Sequence, residues 1–154
     1  MATVEQSIEV HAPIAQTYNQ WTQFEEFPQF MEHIEEVRQT DATHLHWRAK
    51  IAGKEEEWDA EITEQHPDER VAWRSTSGAP HAGVVTFHRI DDETTKVMLQ
   101  LDGEPRGLIE KIGDALGVLD NEAKADLKRF KTFIEERGQE SGAWRGDVDA
   151  PHQN

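Results

Sequence analysis

The sequence predicts an α+β domain in which a curved, seven-stranded antiparallel sheet lies against one long C-terminal helix. Three observations predict it. From Gly107 to Arg137, apolar residues recur at steps of three and four: Ile109, Ile112, Leu116, Leu119, Ala123, Leu127, Phe130 and Ile134. That spacing puts all eight on one side of a helix. From Glu35 to Leu101 the apolar period is two instead, which is the signature of half-buried strands, six of them after the short helices. Short turn signals divide this stretch, so consecutive strands fold back on one another.

Each element follows in order. Val4, Ile8 and Val10 alternate with Glu5, Ser7 and Glu9, giving a first strand that Ala12-Pro13 ends. Pro13 suits the first turn of a helix. Ile14, Tyr18 and Trp21 then mark one short amphipathic helix, and Phe24 and Phe27 mark a second, stopped by Pro28. Leu45, Trp47, Ala49 and Ile51 alternate with His44, His46, Arg48 and Lys50. Ala52-Gly53-Lys54 turns the chain. Trp58, Ala60 and Ile62 face inward on the return, then Val71, Trp73 and Ser75 after the His66-Pro67-Asp68 turn. Val85 and Phe87 follow, and Val97, Leu99 and Leu101 complete the sheet. The long helix spans roughly 46 Å at about 1.5 Å per residue. Gly138 stands where a helix C-terminus favours glycine. A single domain over 1–138 and a loose polar tail over 139–154, with Trp144 its one large apolar residue, are expected.

Composition narrows the function. The chain has 154 residues, 31 acids against 16 bases, a net charge of −15 and no cysteine. Such acidity opposes binding of a phosphate backbone, so nucleic acid is not an expected partner. The N-terminus lacks the pattern of a signal peptide, and no apolar run approaches a membrane span. The expectation is a soluble cytoplasmic protein, monomer or homodimer, without an integral membrane segment.

The strand and helix faces also point to a site. A straight helix cannot fill a curled sheet along its whole length, and the gap suits a small molecule. Trp47, Trp58, Trp73, Phe87, Leu99, Ile112 and Leu116 are the candidate apolar lining. Arg89 shares the parity of Val85 and Phe87 and is the candidate polar group, with Asp59 and Arg74 as further edge groups. A buried arginine needs an acidic partner, either a ligand or a nearby carboxylate. The tryptophans serve equally well as plain core residues with satisfied indoles. Gly113 and Gly117 border the helix stripe and either let the helix approach its neighbours closely or make room for a ligand or a helix shift, the first being the leading expectation. His44 and His46 share a strand face, but it is the outward one, with no acid at ligand spacing along the chain. His33, His66, His81 and His88 fall at ends, loops or outward positions. No catalytic residue, metal site or cofactor is assigned.

Several stretches resemble a known family. Val10-His11-Ala12-Pro13, then Tyr18, Trp21, Phe24 and Phe27-Pro28, is similar to the opening of the START-like, or helix-grip, superfamily. Leu45-His46-Trp47, Gly83-Val84-Val85-Thr86-Phe87, Thr95-Lys96-Val97 and Asp126-Leu127-Lys128-Arg129-Phe130 resemble its bacterial polyketide cyclase/dehydrase-like (SRPBCC) branch. The resemblance covers roughly residues 3 to 137. It implies the helix-grip fold and a hydrophobic ligand, whether lipid, isoprenoid or quinone, or polyketide. Relatives commonly carry an aromatic before Glu-Pro ahead of the long helix, where this chain has Gly103, which loosens one wall of the pocket mouth. Binding or transport is the leading expectation. A cyclase or dehydratase using the same pocket and a ligand-free stress-response or interaction module are the alternatives.

Overall fold

The computed structural model describes residues 2–51, 53–77, 81–103 and 115–137. Its strands are β1 (Ala2–Val10), β2 (Ile34–Gln39), β3 (His44–Ile51), β4 (Lys54–His66), β5 (Arg70–Ser75), β6 (His81–Asp91) and β7 (Thr94–Gly103). Helix α1 (Ile14–Trp21) and a 3-10 helix (Phe24–Gln29) follow β1, and helix α2 (Ala115–Arg137) ends the described chain. The expected helix over 107–137 is therefore seen from Ala115. Residues 107–114, with Gly113 and Ile112, lie outside the described residues, as do Gly138 and the tail.

All seven strands form one antiparallel sheet in the order β1-β7-β6-β5-β4-β3-β2. The order has a simple cause. β2 to β7 run as a meander, each strand pairing with the next, because each connection is a short turn. At one of these turns Gly53 takes a positive φ of 81°, and at another Asp68 does so at 62°. The two short helices after β1 carry the chain across the sheet to the far edge, and the meander returns to β1. Register shifts at Ile34/Glu36, Ile62/Glu64 and Arg89/Asp91 add local bends to the ordinary sheet twist. The result is a curled half-barrel with a C-terminal helix.

Alternation did its work on the concave face. Val4, Val10, Leu45, Trp47, Ala49, Ala60, Ile62, Val71, Val85, Phe87, Val97 and Leu99 are all buried. Ala123, Leu127, Phe130 and Ile134 of α2 are buried above them. Helix α2 packs on β1, and polar contacts fix it there. Gln6 Nε2 donates to Asp120 Oδ1 (2.7 Å), Lys131 Nζ to the Glu9 carbonyl (3.1 Å), and the His11 backbone N–H to Glu135 Oε2 (2.7 Å). Thr95 Oγ1 donates to the Ala12 carbonyl (2.8 Å) and pins the corner after β1 to β7. A hydroxyl buried this deeply needs such an acceptor.

A cluster of contacting aromatic rings lies where α1, the 3-10 helix and α2 converge. Trp21 sits 5.0 Å from Phe130, 5.3 Å from Phe27 and 6.1 Å from Phe30, and Phe30 lies 5.2 Å from Phe130. Most of these pairs are edge-on or tilted, as ring quadrupoles prefer. These four aromatics are essentially inaccessible to solvent.

Candidate functional site

The concave face is built from cross-strand rows. Trp47 of β3 and Trp58 of β4 are register partners, so their indoles stack at 5.9 Å with planes 8° apart. Two inward rows further on, past Leu45, Ala60 and Ser75, the residues Ile62, Trp73, Gly83, Leu101 and Val4 are aligned across five strands. The Trp73 ring lies flat over Gly83, where a Cβ would stand 2.4 Å from Cζ2. Only a residue without a side chain admits the indole there.

Trp21, Phe24 and Phe27 come down onto this face from the short helices. With Leu45, Trp47, Ile62, Val71 and Trp73 they enclose a void of about 10 Å³. That is the space of about one water molecule, and all eight lining residues are apolar. Trp58 and Trp73 stay partly accessible although they belong to the core face.

The candidate residues are distributed unevenly over this arrangement. Trp47 and Trp73 line the void, and Trp58 stacks against Trp47. Phe87 and Leu99 are buried on the same face. Phe87 sits beneath α1, 5.4 Å from Tyr18 and 6.5 Å from Trp21. Leu116 belongs to α2, but its side chain, like the whole of Ile112, lies outside the described residues. Arg89 is corrected. Its side chain is 59% exposed and ion-pairs with Asp92. It shares the inner parity, but it stands at the end of β6, where a long side chain can reach out past the last covered row. Of the suggested edge groups, Arg74 pairs with Glu61 on the outer surface at 3.2 Å, and Asp59 also lies there. Trp21, Phe24, Phe27, Leu45, Ile62 and Val71 were legible as inward residues but not as the wall of one void, since no periodicity says which rows meet.

One inward residue escaped the pattern altogether. Strict alternation from Trp58 puts Gln65 outside with Glu57, Asp59 and Glu61. The register shift between Ile62 and Glu64 inserts one residue into β4 and reverses the parity after it. Gln65 thus becomes the register partner of Val71 on the concave face, with 1% of its surface exposed. Among the described residues, neither its amide nitrogen nor its amide oxygen has a hydrogen-bond partner, and the buried indole N–H groups of Trp21 and Trp47 also lack acceptors.

Charged clusters occupy the other surfaces. On the outer face His46 Nδ1 meets Asp59 Oδ1 at 2.8 Å, and Nε2 meets Glu57 Oε1 at 2.9 Å. The hairpin register brings these acids to the histidine, although they are distant along the chain. The hydrogen bond to Asp59, then that to Glu57, raises the His46 pKa above its usual value. His44 Nδ1 pairs with Asp41 at 2.9 Å.

A second cluster joins α2 to the segment before β2. His33 Nε2 meets Glu122 Oε2 at 3.0 Å, and Glu32, His33 and Glu122 bring three potential ligand atoms within 4.8 Å of one another. Arg129 already serves these acids, at 3.5 Å from Glu32, 3.2 Å from Glu122 and 2.6 Å from Asp126. Its Nε donates to the Phe30 carbonyl at 2.9 Å. A fixed guanidinium among the carboxylates supplies the charge that a cation would, so the cluster reads as a latch between α2 and the aromatic segment. Burial, and then the Glu122 carboxyl, push Asp126 up to about 7 against the pull of Arg129.

A curled antiparallel sheet, a C-terminal helix across it and an apolar inner face define the START-like, helix-grip class. The chain belongs to the polyketide cyclase / dehydrase and lipid transport family, whose model matches residues 10–132. It is 58% identical over 149 residues to an uncharacterised 17.2 kDa protein from the melC2-rnhH intergenic region of Streptomyces lincolnensis, covering 96% of this chain and 99% of that one. Solved structures of similar fold include a Thermus thermophilus protein (TM-score 0.73, 21% identity, 90% of this chain and 100% of that one). The Zhui aromatase/cyclase from Streptomyces sp. R1128 is similar as well (TM-score 0.72, 16% identity, 93% and 99%). So is a START superfamily protein from Mycobacterium smegmatis (TM-score 0.70, 15% identity, 88% and 98%).

Proposed function

We propose that this protein binds a hydrophobic small molecule, of the lipid, isoprenoid or polyketide kind, between α2 and the concave face of the sheet. The observation that carries the reading is the group of inward tryptophans. Trp47 is buried, whereas its stacking partner Trp58 and the neighbouring Trp73, with Ile8 and Leu101 on the same face, keep accessible surface. Large apolar side chains left partly uncovered on a concave face are what a hydrophobic guest would cover, at about 25 cal/mol per Å². The family description, which includes lipid transport, supports the same class.

The void of about 10 Å³ is far smaller than such a guest. A guest seated in that void would have to displace its lining side chains, Trp73 among them. Part of the binding free energy is then spent on that rearrangement. Among the described residues, the polar groups on the inward parity of this face include Gln6, Gln65, Ser75 and Thr95, amides and hydroxyls rather than a paired acid and base, which favours a carrier over a dehydratase.

Native mass spectrometry of protein purified from its own source tests the reading. A co-purifying apolar compound, with tryptophan emission changing on its removal and return, is the expected result. Protein that emerges empty and gives no emission change with any apolar probe would count against a carrier.

A further inference from the structure

We infer that Gln65 recognises a neutral hydroxyl group on the bound molecule, so that the ligand is an apolar compound carrying an alcohol or phenol rather than a bare hydrocarbon or an acid. The inference rests on the proposed binding role and sharpens it.

A buried amide offers a donor pair and an acceptor, and leaving both unmet is costly. Buried polar groups in folded proteins are almost always partnered, and the exceptions call for a missing ligand, ion or water. Gln65 is such an exception among the described residues, at 1% exposure with Nε2 and Oε1 both unpaired. Its position favours a ligand. Register places it on the concave face opposite Val71, and Ile62 is the inward residue before it. Both of those residues line the apolar void. The amide is thus the polar group set next to an otherwise apolar wall.

The chemistry of the partner follows from the two vacant roles. A hydroxyl donates to Oε1 and accepts from Nε2, so it satisfies both. An ether or ketone can only accept. A carboxylate also only accepts, and it would have to approach the acidic stretch that holds Glu64, Asp68 and Glu69, in a protein of net charge −15.

Three probes of nearly the same shape separate the possibilities: 2-naphthol, 2-methoxynaphthalene and naphthalene, titrated calorimetrically into the full chain at pH 7. The expected result is that 2-naphthol binds about tenfold more tightly than either of the others, the size of one well-made buried hydrogen bond. In Gln65→Met, which keeps the length without the amide, the three affinities should converge on that of naphthalene. The ligand-free variant should melt no lower than the wild type, because an unmet amide has been removed.

Equal binding of all three probes by the wild type would overturn the hydroxyl assignment and leave the carrier reading standing, with water as the partner of the amide. Binding of none would remove both. A marked fall in the melting temperature of Gln65→Met would mean that the amide is a structural group, and would overturn the inference even before the titration.

Discussion

On strands β3 and β4, adjacent residues live by different physics. Trp47 and Trp58 face each other on the inside, stacked at 5.9 Å. One residue along each strand, His46 meets Asp59 on the outside at 2.8 Å and reaches Glu57 at 2.9 Å. The same hairpin register creates both pairs. Inside, the contribution is surface removed from water, which depends little on pH or salt. Outside, Asp59 and Glu57 are 58% and 60% exposed, so solvent screens the attraction and the pair contributes little. A sheet can thus carry most of its stability on one face while the charged pairs on the other contribute little.

The largest effects should come from the inner side. Phe130→Ala removes a ring packed on Trp21 and Phe30, and should cost about 3–5 kcal/mol in urea unfolding. A cost below about 1 kcal/mol would mean that α2 does not hold the aromatic cluster together. Gly83→Ala should cost about 1–3 kcal/mol, because its Cβ meets the Trp73 ring. It should also shift the tryptophan emission as that ring is displaced. An unchanged spectrum would put Trp73 elsewhere.

Asp126 tests the boundary between the two regimes, being a carboxyl like those of the outer pair but with a side chain only 15% exposed. Its folded pKa of about 7 lies above the ordinary 3.8. The folded state therefore holds a proton that the unfolded state has released, and stability should fall as pH rises from about 4 to 7. Asp126→Asn should behave like the wild type near pH 5 and be the more stable of the two at pH 8. The opposite order at pH 8 would show that the Arg129 pair outweighs the burial.

His46 should give the smallest effect. Its pKa is raised above 6.5, so its contribution is complete below that value and is lost as pH rises through the folded pKa. His46→Gln should flatten that loss, with a total change under about 1 kcal/mol. A larger change in a melting series from pH 5 to 9 would mean that the outer cluster is structural.

Much of the fold was legible because burial forces periodicity. The inward sets Trp58-Ala60-Ile62 and Leu45-Trp47-Ala49, and the stripe from Ala123 to Ile134, stand in the chain at steps of two or of three and four. The candidate site was legible to the same extent, as a list of inward aromatics. Gln65 was not, since one inserted residue after Ile62 exchanges inside for outside and leaves no mark in hydrophobicity. Arg89 erred in the other direction, because parity says which way a residue points and not whether anything covers it. The acids around His46 and the grouping of Glu32, His33, Glu122 and Arg129 depend on register and on the docking of α2.

By itself the sequence determined the order of the described elements, the side each presents to the core, and the acidic outer surface, since these follow from the solubility of each residue relative to its neighbours. Tertiary structure alone decided that Trp73 lies over Gly83, that the amide of Gln65 is shut in without a partner among the described residues, and that Arg129 is shared among three acids. Contacts between residues far apart in the chain are set by strand register and helix docking, and no local pattern encodes either.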